Sequence, residues 1–76
     1  MNANDYIEEL KKGMHLVRAF TKKGEERTYI GSLPMDAEQR VIGSDIVPIL
    51  TRSGEWKSFN TSSVIEFTRL GAGHGF

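Results

Sequence analysis

Hydrophobic positions along this chain fall in short clusters, and their spacing changes once. Near the start, Tyr6, Ile7 and Leu10 recur at i, i+1 and i+4, the spacing of one helix face. Asn4 before Asp5, Glu8 and Glu9 predicts an N-cap with acids in the first turn; Asn2 is the alternative cap. Lys11 and Lys12 fall at the far end and Gly13 fits the C′ position. The expected helix, residues 4–12, has too few turns to stand alone and must dock on an apolar surface.

Beyond Gly13 the spacing suits extended chain. Met14 to Thr21 predicts a first strand with Val17, Phe20 and Leu16 as its buried groups. Lys22-Lys23-Gly24-Glu25 is a hairpin turn, with Gly24 free to take positive φ. Glu26 to Leu33 predicts a second strand, in which Gly31 marks a bulge or sharp bend. Pro34 to Gly43 reads as a loop holding one helical turn over Met35 to Arg40. Ser44 to Thr51 predicts a third strand; Pro48, which has no N–H to donate, makes it an edge or bends it. Ser53-Gly54 then turns the chain into a fourth strand, Glu55 to Asn60. Trp56 and Phe59 are three apart and cannot share a strict period-2 face, so either a bulge intervenes or Trp56 lies outside the core. Thr61-Ser62-Ser63 predicts one 3₁₀ turn before a fifth strand, Val64 to Thr68, and the Gly-rich stretch 71–76 reads as a flexible tail.

A helix followed by five short strands is mainly β and fits a small five-stranded SH3-like or Sm-like barrel over residues 14–70, within a single domain of residues 1–76. No internal repeat stands out in the pattern. A chain of 76 residues buries only about 60% of the surface it exposes when unfolded, so its core is thin. It has no cysteine to staple it. Closed β pairing, docking of the helix or self-association must make up the difference.

Ten Lys and Arg balance ten Asp and Glu, which argues against a highly basic nucleic-acid coat but leaves room for one basic face. No apolar run spans a membrane and no signal peptide is visible, so a cytoplasmic protein is expected. His15 and His74 have no partners at metal-ligand spacing, and His15 reads as a strand surface residue. Ser58, Ser62 and Ser63 sit in no nucleophile motif, so no enzymatic activity, catalytic residue, metal or cofactor is expected.

The cations carry the candidate chemistry. Arg18 and Arg27 belong to strands that pair in the first hairpin, Lys22 and Lys23 form its tip, and Lys57 follows Trp56. Brought together, these five would form a basic stripe with Trp56 or Tyr29 as a stacking surface, the combination that holds single-stranded nucleic acid or a nucleotide. The competing reading is a solvated face, paired across strands with Glu25, Glu26, Glu55 and Glu66; the interspersed charges weigh toward it. A Trp on a small barrel is, in the same way, more often a packing anchor than a ligand platform.

Phe20-Thr21-Lys22-Lys23-Gly24, Arg27, Gly31-Ser32-Leu33, Trp56-Lys57-Ser58-Phe59 and the strand holding Ile65 resemble a small Sm-like SH3 β-barrel family. That family is found mainly in bacteriophage genomes and is named for its likeness to WYL domains. The likeness covers residues 14–70. It implies a five-stranded barrel without assigned enzymatic activity, and a host-cytoplasmic setting. WYL domains proper are ligand-sensing barrels linked to nucleic acids or nucleotides, and commonly carry Trp-Arg-x-Phe-Arg in their last strands. Here Lys57 and Asn60 replace the two arginines, which removes bidentate phosphate recognition at those positions. The expected function is therefore a non-enzymatic binding module for nucleic acid or a nucleotide-like anion. The alternative is a protein-interaction module, acting on a host protein or on further copies of itself through the apolar strand Ile46 to Leu50.

Overall fold

The computed structural model describes residues 2–37 and 45–70. Helix α1 is Ala3–Leu10. Asn2, not Asn4, caps it, because a reciprocal box needs an acid three residues on. The Asn2 Oδ1 accepts from the Asp5 N–H at 2.9 Å, and Asp5 Oδ2 accepts from the Asn2 N–H at 3.1 Å. Lys11 is the C-cap, so the two lysines lie past the last turn and Gly13 lies one place beyond C′. Ala3, Tyr6, Ile7 and Leu10 form the buried face.

Five strands follow: β1 His15–Phe20, β2 Glu26–Ser32, β3 Ile46–Thr51, β4 Trp56–Asn60 and β5 Val64–Arg69. The expected 3₁₀ turn, Thr61–Ser63, links the last two, capped by the Asn60 side chain. Of the expected loop, residues 34–37 make a turn closed by the Ala37 N–H on the Pro34 carbonyl, 3.0 Å; the rest of it, and the expected tail, lie outside the described residues. All pairings are antiparallel, in the order β4-β3-β2-β1-β5. No ladder joins β4 to β5 among the described residues, so the sheet is not closed.

Alternation in β1 is strict, but its phase differs from expectation. His15, Val17 and Ala19 face the core, Leu16 is half-buried and Phe20 is 49% exposed. His15 is therefore not a surface residue: it is 1% exposed, its ring stacks on Phe67 at 4.7 Å, and its Nδ1 donates to the Gly13 carbonyl at 2.9 Å. An imidazole has enough apolar area to fill a core position once its polar atoms are served. Of the two readings for Trp56, the second holds: it lies outside the core and β4 pairs without a bulge, the irregularity falling in β5 instead. Ile65 is an extra residue between the pairs Arg18↔Glu66 and Ala19↔Val64. It lets Val64 and Phe67, three apart, both pack on the core.

β3 is an internal strand rather than an edge. Its ladder with β2 holds only Gly31↔Thr51 and Ser32↔Leu50, so at Pro48 only β4 runs alongside among the described residues. The two hairpins thus meet at a narrow waist. Gly31 sits there because a Cβ would run into the Leu50 carbonyl oxygen. Close approach of two backbones, not a bulge, explains that glycine.

Helix α1 covers the gap between the sheet's two edges. The Tyr6 ring meets Phe59 of β4 edge-on at 5.6 Å and Phe67 of β5 edge-on at 4.8 Å. The Leu33 N–H donates to the Leu10 carbonyl at 3.0 Å, fixing the helix end to the segment after β2. Leu10 of the helix and Val17, Val47 and Ile49 of the sheet beneath it are fully buried.

The ladders also reveal a repeat that the hydropathy pattern conceals. Residues 15–30 and 45–60 align without a gap. Val17, Thr21, Gly24 and Glu25 recur as Val47, Thr51, Gly54 and Glu55; Lys22, Arg27, Thr28 and Tyr29 recur in kind as Arg52, Lys57, Ser58 and Phe59. The registers correspond pair for pair, Val17↔Tyr29 with Val47↔Phe59 and Ala19↔Arg27 with Ile49↔Lys57. So do the tips: the Thr21 N–H donates to Glu25 and the Thr51 N–H to Glu55, each at 2.8 Å, and the glycines take φ +82 and +88. Chemically distinct partners at the other positions, such as Arg18 against Pro48 and Glu26 against Trp56, mask the likeness in hydropathy.

On the convex face, Arg18 bridges three strands. Its Nη2 donates to Glu26 at 2.6 Å and its Nη1 to Glu66 at 3.0 Å. The bond from Arg18, aided by one from Thr68, holds the Glu66 carboxyl below its ordinary value of 4.5. A carboxyl lowered on folding stabilises the fold above that ordinary value and stops doing so as pH falls through the folded value. Glu66→Gln is therefore expected to lower the thermal midpoint at neutral pH. The gap from the parent should narrow as pH falls below about 4.5 and close in stronger acid. A gap of constant size across thermal melts in that range would mean that the ion pair contributes nothing.

Candidate functional site

Directly paired residues in an antiparallel ladder share a face, so register decides which cations meet. Arg27 pairs with Ala19 and Tyr29 with Val17, which puts both on the core-facing side of β2. Lys57 pairs with Ile49, on the corresponding side of β4. Near the hairpin tips this side opens to solvent. Arg27, Tyr29 and Lys57 line one open groove of about 700 Å³ with Arg52, Ser53 and Glu55. A second groove, of about 340 Å³, lies on the other side of Tyr29 and holds Lys22, Phe20 and Ser58.

The remaining candidates are elsewhere. Arg18 faces the convex side and is held between two carboxylates, so Arg18 and Arg27 share no stripe. Trp56, cross-strand from Leu50, is on the opposite face of β4 from Lys57. It is 58% exposed and lines neither groove, so it is not the half-buried anchor that a small barrel favours. Lys23 is exposed at the first tip and lines neither groove.

Arg27 and Lys57 are weakly committed. Arg27 stands 3.7 Å from Glu25 and Lys57 3.8 Å from Glu55, both pairs about half exposed. Exposed pairs of this length contribute little, so a phosphate can replace the carboxylate at small cost. Lys22 makes no ion pair among the described residues. Tyr29 is half-buried between the grooves, with its ring on the cation-bearing side.

The chain matches no family model, no curated protein and no solved structure. Arg52 is the lining cation that sequence reasoning missed. The signal was there, since Thr51-Arg52-Ser53-Gly54-Glu55 repeats Thr21-Lys22-Lys23-Gly24-Glu25 and sets Arg52 in the place of Lys22. No group of three or more His, Asp or Glu side chains that could hold a metal ion occurs among the described residues. No helix there is long and apolar enough to cross a membrane.

Proposed function

We propose that this protein is a non-enzymatic binding module for single-stranded nucleic acid or a nucleotide, gripped at the groove around Tyr29. One observation carries the reading: Arg27, Arg52 and Lys57 gather with Tyr29 in a single open groove that holds one carboxylate, Glu55. Cations give phosphate affinity, and an aromatic ring gives a face on which any base stacks. The groove is shallow and open, which suits an extended strand better than an engulfed small molecule. The proposal includes the barrel architecture and the kinship with the phage-type Sm-like group. Strand order and the 3₁₀ turn before β5 support the architecture; the short motifs named above support the kinship.

Anisotropy titration of a labelled oligothymidylate tests the reading. Binding should appear at low salt and weaken as salt rises. With three cations engaged (Arg27, Arg52 and Lys57), the log–log slope should approach about −2. Arg27→Ala and Lys57→Ala should each weaken binding and make the slope shallower by about 0.7, whereas Trp56→Ala should leave it unchanged. No binding at low salt, or binding indifferent to salt, would remove the proposal.

A further inference from the structure

The two grooves correspond in part under the repeat, through five lining residues of each. In the smaller groove, Thr21 and Lys22 of the first tip lie against Ser58, Phe59 and Asn60 of the second hairpin's return strand. In the larger, Thr51 and Arg52 of the second tip lie against Thr28, Tyr29 and Ile30 of the first hairpin's return strand. A shift of thirty residues carries each set onto the other: Thr21 to Thr51, Lys22 to Arg52, and residues 28–30 to residues 58–60. Each groove is a tip of one hairpin set beside the return strand of its twin, and Tyr29 lines both.

The repeated chemistry is specific. Each groove offers a cation at the first turn position after a threonine and, on the facing strand, an aromatic (Phe59 or Tyr29). Each facing edge is only partly paired; in the larger groove the Ile30 carbonyl accepts from the Arg52 N–H at 2.8 Å. Beyond Gly31 and Ser32, β2 has no ladder on its β3 side among the described residues, and β4 has none except with β3. A phosphate at either groove therefore meets a cation beside the edge of a strand. The aromatics are not equal: Phe59 is 4% exposed and packs in the core, whereas Tyr29 is half-buried and faces both grooves.

We infer that the duplicated hairpin makes two related phosphate subsites, which take two phosphates of one single-stranded nucleic acid, with Tyr29 between them as the shared stacking surface. This rests on the reading above and narrows it: the ligand is a polymer that spans both grooves, not a lone nucleotide. Two linked subsites make the second contact intramolecular, so affinity rises with strand length far beyond what a single site gives.

The test measures affinity for thymidine monophosphate, a dinucleotide and oligothymidylates up to about a dozen nucleotides, a length within the range small barrels cover. Affinity should climb about 100-fold or more between the mononucleotide and the first strand long enough to reach both grooves, then level off. Lys22→Ala and Arg52→Ala should weaken long-strand binding to a similar degree. Each should make the salt slope shallower by about 0.7, and the double variant by about twice that. Both lysine and arginine are exposed at hairpin tips, so circular dichroism should show both variants folded. If long strands bind but only one of the two variants matters, or the mononucleotide binds as tightly as the strands, the paired subsites are refuted and the single-groove reading stands. If no strand binds the parent protein, both fall together.

Discussion

Gly31→Ala is expected to leave the chain unfolded at ambient temperature. The added methyl would collide with the Leu50 carbonyl oxygen and stand 2.9 Å from both Ile49 Cγ1 and Leu50 C. Two of these obstacles are backbone and cannot swing aside. Relief requires β2 and β3 to separate where their ladder holds only two pairs. A domain of 76 residues has a total stability of about 4–11 kcal/mol. Parting its two hairpins at their junction removes the Gly31↔Thr51 and Ser32↔Leu50 pairs and uncovers Ile49, which is fully buried. Gly24→Ala and Gly54→Ala are the matched controls. Nothing lies within 4 Å of a Cβ at either, so their cost is only that of a left-handed alanine, about 1–2 kcal/mol. Urea denaturation of the three variants ranks them directly. Should Gly31→Ala unfold no more easily than the two controls, the close approach at the waist is not what requires glycine.

Removing residues 1–10 is expected to abolish cooperative folding. The sheet is open between β4 and β5, and α1 fills that opening with Tyr6, Ile7 and Leu10. Burying each side chain of this size is worth about 1.5–3 kcal/mol, so three of them supply stability comparable with the whole domain's. Losing them also bares Phe59 and Phe67, whose rings meet Tyr6. The single substitution Leu10→Ala grades the effect: the residue is fully buried, and its truncation should cost about 2–5 kcal/mol. A truncated chain that still melts in one sharp transition would show that the sheet holds itself together without its helix.

Helix, five strands, both glycine tips and the 3₁₀ turn were legible because each has a local cause: a cap, an alternation, a positive φ. What failed depends on partners distant in sequence. His15 looked like a surface residue because nothing local announces that Phe67, fifty-two positions on, stacks on it. Phe20 was expected inside because aromatic character outweighed phase; the ladder gives the inward positions to the smaller Val17 and Ala19. The site was half legible. Arg27, Tyr29, Lys57 and Lys22 could be chosen by type, but Arg18 could be separated from Arg27 only once pairing fixed their faces. The repeat was readable throughout. It needed an alignment of the chain with itself rather than a reading of its apolar spacing.

The triad on the convex side carries two carboxylates for its one guanidinium, while the grooves are lined by four cations and one carboxylate, Glu55. With a formal charge of zero, the molecule exerts no net pull on a distant polyanion. What remains is a torque: an approaching strand turns the protein before it attracts it, and only within about 10 Å, the reach of unscreened charge at moderate salt. If the proposed function holds, capture would be a matter of orientation at short range, and rising ionic strength would slow the turning as well as loosen the grip.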